Sequence, residues 1–208
     1  MKGDALVAVL DAALARLAES RDELRDLDAA LGDGDLGITV SKGCEAARAR
    51  LATLTNPSPA EVLRVAGTAF AAANPSTMAA LVGGALLAAA KAVADSSSLT
   101  RDDVVRLARA AADSIKTRGK AELGDKTMLD AIVPSVDALE SSAGDDPLDA
   151  MVAVARRAID ETTPLQSQRG RASWVGERSA GHPDPGAMAY LRLLEALAAV
   201  LRATPGGD

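Results

Sequence analysis

Aromatic residues are nearly absent from this 208-residue chain, and their scarcity excludes whole classes of function. There is one Phe, one Trp and one Tyr, or 1% of the sequence. Nucleic-acid-binding modules that stack bases need several aromatic platforms. The net charge of −6 is also unlike the basic surface that holds a phosphate backbone. We therefore expect no nucleic-acid partner, and a core of Ala, Leu and Val in closely packed helices.

Cysteine, histidine and long hydrophobic runs are scarce as well. The single Cys44 excludes an internal disulfide and fits a reducing compartment. The single His182 excludes any mechanism that needs two histidines. The most apolar stretch, 79–94, contains two glycines and a lysine, so it is no membrane span. Residues 1–4 run directly into an amphipathic pattern without the features of a secretory signal. We expect a cytoplasmic protein with no membrane partner.

The sequence is instead helical in its periodicity from end to end. Apolar residues recur at spacings of three and four, and clusters of Pro, Gly, Asn and Ser separate the periodic stretches. Pro134 should kink or break one helix, and residues 204–207 should end the fold. With no alternating strand pattern and no composition shift, we expect one all-α domain, 1–208, of mostly antiparallel helices. The pattern predicts eight helices, at about 4–28, 38–54, 59–73, 77–94, 101–118, 126–139, 147–162 and 186–203.

The first interruption, residues 28–37, carries three carboxylates within eight residues. Carboxylates this close repel one another unless a cation lies between them. Hard oxygen ligands on a glycine-rich loop suit Mg²⁺ or Ca²⁺. The Ca²⁺ helix–loop–helix pattern fails, because its twelfth position should be Glu; it is Cys44 when counted from Asp33 and Thr39 when counted from Asp28. Mg²⁺ with a phosphorylated ligand fits better. The alternative is a helix end followed by a turn with solvated acids.

Four loops carry unusual residues, and they follow the first, third, fifth and seventh predicted helices. They span 28–39, 74–79, 119–128 and 169–186. In an up-and-down helical domain, alternate connections lie at the same end. We therefore expect all four loops to meet at one rim of the fold.

The third loop has a binding and a structural interpretation. Its glycines allow a ligand to approach the backbone closely, and Lys126, near a helix start, can meet a phosphate. Alternatively, Gly119 ends one helix and Asp125 caps the next.

The fourth loop has the same two interpretations. Arg171 and Arg178 offer forked donors to phosphate. Asp184 can cap the last helix, with Pro185 in its first position, and can equally face a ribose hydroxyl. We expect Trp174 to anchor the loop.

Together these motifs resemble the nucleotide-binding L subunit of dihydroxyacetone kinases over nearly the whole chain. The resemblance rests on the spaced aspartates of 28–37, on 124–128 and on 170–187. It implies a barrel of eight antiparallel α-helices that binds ADP or ATP at one end, together with two Mg²⁺ ions.

The resemblance also implies roles for individual residues. The metal ligands are Asp28, Asp33 and Asp35. Arg171, and Arg178 which we add for its donors, would neutralise charge during transfer. The implied nucleotide contacts are Gly37, Ile38 and Thr39, then Thr77 and Met78, with Gly119 and Met128 at the adenine end, and Arg171, Asp184, Pro185 and Gly186.

Two departures from the family pattern lie at the phosphate end. Leu36 stands where the family usually has His, and residues 74–79 contain Pro and Met where the family is Gly- and Ser-rich. Pro75 and Met78 remove donors and flexibility there. The departures leave the fold intact and bear on the substrate and the activity.

No residues in the chain match a ketose site; in the family, a separate K subunit holds the sugar through a histidine. We therefore expect half of a glycerone-kinase-type phosphotransferase that needs a K-type partner. The donor is either ATP or a phosphocarrier of a phosphotransferase system that rephosphorylates bound ADP. The alternatives are a kinase subunit for another ketose such as a tetrulose, a non-catalytic nucleotide-binding regulator, and a helical scaffold that binds no nucleotide.

Overall fold

The computed structural model describes residues 1–142 and 146–203, and every regular element in these ranges is helical. The predicted all-α class is confirmed; the predicted end of the fold at 204–207 lies outside the described residues. A 3₁₀ segment, Arg171–Ser179, precedes the last helix. The α-helices are α1 (Gly3–Glu19), α2 (Arg21–Ala29), α3 (Leu36–Leu51), α4 (Pro59–Ala73), α5 (Thr77–Ala92), α6 (Arg101–Gly119), α7 (Met128–Ser141), α8 (Pro147–Thr162) and α9 (Pro185–Ala203).

Eight of these helices form a closed ring. α1 packs on α3, each helix from α3 to α8 packs on the next in the chain, and α9 returns to α1. This ring is the predicted barrel of eight helices. The remaining helix, α2, is short and packs mainly on α3 and α9, so it adds a ninth helix without opening the ring.

The first predicted helix, 4–28, is two helices in the structure. Ser20 separates α1 from α2 with φ −77° and ψ 8°. Between Leu17 and Leu24 only Ala18 is apolar, so few packing contacts favour a straight continuation. The bend directs α2 against the start of α3, where the carbonyl of Arg21 lies against Gly37.

Two details of α7 also differ from the prediction. The helix begins at Met128 rather than near 126, because Thr127 is its cap: Thr127 Oγ1 accepts the N–H of Leu129 at 3.2 Å, and Asp130 accepts the N–H of Thr127 at 2.7 Å. The predicted cap at Asp125 is therefore wrong. Pro134 does not break the helix, which continues to Ser141.

Small residues let the helices approach closely, as the scarcity of aromatics predicts. The buried apolar residues are mostly Leu, Ala and Val. The ring of Phe70 packs where a Cβ on Gly43 would lie only 2.5 Å away. Such contacts fill the core without large side chains. No helix in the described ranges combines the length and the apolarity that a bilayer span requires.

Candidate functional site

The turn between α2 and α3 brings three carboxylates together. Asp28 lies in the last turn of α2, and its carbonyl accepts the N–H of Gly32 at 2.6 Å, which turns the chain sharply. Gly34 adopts φ +72°, and Asp35 immediately precedes α3. One oxygen each from Asp28, Asp33 and Asp35 lie within 4.8 Å of one another.

The chemistry of this donor set fits a hard cation. Asp28 is half-buried, and its Oδ2 accepts the N–H of Leu36 at 3.1 Å. Burial raises the pKa of the Asp28 carboxyl, and the charges of Asp33 and Asp35 add to the rise although the Leu36 hydrogen bond opposes it. A positively charged group is therefore attracted to the cluster, because it reduces the repulsion between the carboxylates. With three carboxylates and no Cys or His, the cluster suits Mg²⁺ and not zinc or copper.

Arg171, at the start of the 3₁₀ segment, reaches this cluster from the fourth loop. Its Nη1 donates to Asp33 and lies 3.3 Å from an oxygen of Asp35. The side chains are about half exposed, so the pairs contribute little to stability. Their consequence is geometric. Arg171 is 138 residues from Asp33 and 136 residues from Asp35 along the chain, so the two pairs join the fourth loop to the first and place a positive charge beside the carboxylates.

The first two loops meet at the start of α3. Gly37 is buried against α2, and a Cβ there would lie 2.0 Å from the carbonyl oxygen of Arg21. Thr39 is 1% exposed, and its Oγ1 accepts a hydrogen bond from Asn74 at 2.8 Å. Ile38 lies between them and is half-buried. The Asn74 bond ties the second loop to the segment for which the family resemblance implies phosphate contacts.

The helix starts that follow the second, third and fourth loops are neighbours. A Cβ built on Gly186 in α9 would lie 3.4 Å from Met78 Cε in α5 and 3.4 Å from Met128 Cβ in α7. Thr77, which begins α5, is exposed. Gly119 is the last residue of α6, and α6 packs on both α5 and α7. The structure therefore gathers these predicted contact residues at the same end of the ring.

Lys126 does not face a phosphate, which corrects the prediction for the third loop. Its side chain is 1% exposed. Its ammonium donates to the carbonyls of Thr163 at 2.8 Å, Leu165 at 2.7 Å and Ser179 at 2.6 Å. Burial lowers the pKa of Lys126, and the nearby Asp184 charge opposes this effect. The residue joins the third loop to the fourth from inside the protein.

Asp125 joins the same two loops from outside. Its carbonyl accepts the N–H of Gln168 at 2.9 Å, and its carboxylate accepts from Arg169 at 2.9 Å and from the N–H of Glu122 at 2.9 Å. The hydrogen bond from Glu122, and then the Arg169 guanidinium, lower the pKa of Asp125.

Asp184 caps α9, which is one of its two predicted roles. Its Oδ2 accepts the N–H of Ala187 at 2.7 Å, and Pro185 occupies the first helical position. Burial raises the pKa of Asp184 to about 7, while the Ala187 hydrogen bond and the Lys126 charge oppose the rise. The cap holds Gly186 in place beside Met78 and Met128.

Two side chains of the fourth loop are not drawn into the cluster. Arg178 is exposed and forms no ion pair with any residue in 1–142 or 146–203. Trp174 is 84% exposed, so the expectation that it anchors the loop is wrong. The loop is held by Lys126, Asp125 and the Arg171 pairs instead.

Sequence reasoning missed two of the contacts that assemble the site. The Asn74–Thr39 hydrogen bond links positions 35 residues apart, and no sequence pattern around either residue indicates that the two side chains meet. The buried position of Lys126 has no marker in the sequence either, because its carbonyl partners lie 37 to 53 residues further along the chain.

Comparison with known proteins shows the family of the chain. Residues 30–199 match the DAK2 domain family. The chain belongs to the DAK2 domain family. The matched region contains every predicted site residue except Asp28.

Relatives of this DAK2 domain protein are of two lengths. The ADP-binding subunit DhaL of the PEP-dependent dihydroxyacetone kinase of Escherichia coli is 33% identical over 180 residues, which are 84% of this chain and 86% of that subunit. The L-erythrulose 1-kinase of Mycolicibacterium smegmatis is 38% identical over 198 residues, which are 92% of this chain and 34% of that kinase. The chain therefore spans about a third of the longer relative.

Solved structures share the fold. The dihydroxyacetone kinase of C. freundii, in its native form, is 26% identical with a TM-score of 0.76, over 94% of this chain and 34% of that one. Its crystal structure with AMP-PNP and Mg²⁺ gives a TM-score of 0.77 at 23% identity, over 93% and 33% of the two chains. The all-α barrel is thus the fold of this part of that kinase.

Proposed function

We propose that this DAK2 domain protein is the nucleotide-binding subunit of a kinase that phosphorylates a short ketose held by a partner subunit. The observation that carries the proposal is the meeting of Asp28, Asp33 and Asp35 with Arg171 at the end of the barrel where the four loops converge. The relative of similar length is named an ADP-binding subunit, and the longer relative is named an erythrulose kinase.

In this proposal the three aspartates would hold Mg²⁺, as two ions, which when bound would neutralise the negative charge of the nucleotide phosphates. The cluster has the right donors, and its acids repel one another without a cation.

The nucleotide, ADP or ATP, lies across the gathered helix starts. Gly37, Ile38 and Thr39 of α3 face its phosphates together with Thr77 and Met78. Gly119 and Met128 lie at the adenine end, and Asp184, Pro185 and Gly186 complete the site. The mutual contacts of Gly186, Met78 and Met128 support this assignment.

Two arginines supply positive charge. Arg171 already lies beside the carboxylates and neutralises charge that develops on the transferred group. Arg178 is exposed in the same segment and is free of ion pairs in the described ranges, so it is available to phosphate or to a partner. Phosphoryl transfer depends mainly on such positioning and electrostatic stabilisation.

The acceptor and the donor come from outside the chain. A K-type subunit presents dihydroxyacetone, or a tetrulose such as erythrulose; relatives are named for both kinds of ketose. The donor is ATP, or PEP through a phosphotransferase-system phosphocarrier that rephosphorylates bound ADP. Both donors place the reaction in the cytoplasm.

Reconstitution tests the proposal. The purified protein is mixed with a sugar-binding kinase subunit, Mg²⁺ and either dihydroxyacetone or erythrulose, with ATP in one arm and PEP plus phosphocarrier proteins in another. Phosphorus NMR should detect a ketose phosphate only when both subunits are present. Asp33→Asn should abolish the product, whereas Asp26→Asn, which removes another exposed carboxylate that pairs with an arginine, Arg25, should not. Nucleotide binding without transfer in any arm would contradict the kinase and favour a regulatory role.

A further inference from the structure

Lys126 is a buried, charged residue in an unusual backbone conformation. Its side chain is 1% exposed and its φ is +58°, a region that residues other than Gly rarely adopt. Such a conformation is stable only where the surrounding structure strongly determines it. The three hydrogen bonds of its ammonium are part of that surrounding structure.

The ammonium connects both ends of one segment. Thr163 and Leu165 follow α8 at the start of the segment, and Ser179 ends the 3₁₀ turn. Further bonds close the same region: the N–H of Gly181 donates to the Thr163 carbonyl at 2.9 Å, and the N–H of Ser167 donates to Ser179 Oγ at 2.9 Å. The segment 163–181 is thereby held as a closed loop on Lys126.

Only lysine suits this position. An ammonium has three donors, and here each meets a carbonyl oxygen. A methionine of similar length would remove the ammonium from all three carbonyls, and the loss is least favourable at Ser179, whose contact is buried, whereas those of Thr163 and Leu165 are part-buried. Because all three donors are used inside the protein, none is available to a phosphate.

The segment that Lys126 holds carries Arg171, one of the proposed nucleotide ligands, and leads into the proposed ligands at the start of α9. Arg171 projects from it to Asp33, and α9 begins four residues after it with Asp184 as cap. A shift of the segment therefore moves Arg171 and the start of α9 together. Precise placement of such groups is what binding and transfer require.

We propose that Lys126 is a positioning residue for the nucleotide: its ammonium fixes the segment 163–181 so that Arg171 and the start of α9 lie at the site. This inference rests on the proposed function. It assigns Lys126 no contact with the nucleotide or the metal.

The first test compares Lys126→Met with a matched variant, Arg169→Ala. Arg169 joins the same two loops through an exposed pair with Asp125, so its loss should weaken Mg²⁺–ADP binding less than about fivefold. Lys126→Met should weaken it at least about tenfold, in calorimetry well below the unfolding temperature of the variant. Wild-type affinity in Lys126→Met would overturn the inference.

The second test needs no nucleotide. Trypsin is added to the native protein, and cleavage after Arg171 and Arg178 is compared with cleavage after Arg50, an exposed residue of α3. Lys126→Met should accelerate the first two sites selectively. Equal acceleration at all three would assign Lys126 to global stability and overturn the inference. If the methionine variant does not fold, Lys126→Arg takes its place, because its planar fork cannot match three converging carbonyls.

A double-mutant cycle separates positioning from general damage. If Lys126 acts through the segment, its loss should weaken ADP binding less in an Arg171→Ala background than in the wild type; full additivity would contradict this. Failure of the wild-type protein to bind ADP would refute the proposed function, and the trypsin experiment would then decide the role of Lys126 alone.

Discussion

Gly37 offers the sharpest test of how α2 is held against α3. An alanine Cβ at this position would lie 2.0 Å from the carbonyl oxygen of Arg21 and 3.0 Å from the amide nitrogen of Arg25. Both are backbone atoms, so no side-chain rotation relieves the contact. The helices would have to separate by about 1 Å to reach even a tight contact.

This separation has a stability cost and a functional one. Overpacking of this kind costs about 1–3 kcal/mol, and a backbone partner places Gly37→Ala near the upper figure. For a chain of this size that corresponds to a fall in Tm of about 6–12 °C. Because Asp28 lies in the last turn of α2, the shift should also distort the carboxylate cluster and weaken Mg²⁺–ADP binding.

Gly119→Ala is the matched control for the stability measurement. Both glycines are helical with negative φ, but the nearest atoms to a Cβ on Gly119 are side-chain carbons of Leu81 at 3.9 and 4.0 Å. In thermal unfolding followed by circular dichroism, Gly119→Ala should be neutral or gain up to about 1 kcal/mol from helix propensity. Equal melting of the two variants would refute the close approach of α2 and α3.

Three further predictions concern charge. Arg171→Ala should tighten the binding of Mg²⁺ alone by up to about fivefold, because the guanidinium competes with the metal for Asp33 and Asp35. The same substitution should weaken the binding of Mg²⁺–ADP. Calorimetry with and without ADP measures both affinities, and a change of both in the same direction would contradict the assignment. Asp184→Asn keeps the cap, so in thermal unfolding it should be more stable than the wild type by about 1 kcal/mol or more at pH 8 and equally stable at pH 4. Burial raises the pKa of Asp184 to about 7, so the wild type loses stability as the pH rises from 4 to 8 and the carboxyl ionises. A stability difference that does not change with pH would exclude burial as the cause. Asp103→Ala should lower the free energy of unfolding at pH 7, because hydrogen bonds from Thr100 and Ser96 hold the pKa of Asp103 far below its usual value; urea unfolding should show a smaller difference at pH 2.5, where the unfolded carboxyl is protonated.

Local signals predicted the helix ends well, because capping involves residues three or four positions apart. Ser58 before Pro59 and Thr100 before Asp103 both cap their helices, and both pairs are typical sequence patterns of a helix start. The bend at Ser20 was missed, since it depends on how α2 meets α3 and not on a local breaker.

The meeting of the four loops was also predictable, because alternate connections of an up-and-down helical domain lie at the same end. The bonds that hold them were not. Lys126 finds its partners 37 to 53 residues further along the chain, and a lysine in a glycine-bearing loop near a helix start reads equally well as a phosphate ligand. Trp174 likewise reads as an anchor until the structure shows it exposed.

Binding of Mg²⁺–ADP tests the central claim most directly. The wild-type protein, Asp33→Asn and Asp26→Asn are titrated with ADP by calorimetry, with Mg²⁺ and again with a chelator. The account predicts metal-dependent binding that Asp33→Asn weakens at least about 100-fold and that Asp26→Asn leaves intact. The magnitude follows because substitution of residues that only hydrogen-bond to metal ligands already lowers metal affinity by about 10–100-fold. Failure of the wild type to bind, or equal binding by all three proteins, would contradict a nucleotide site at the three aspartates.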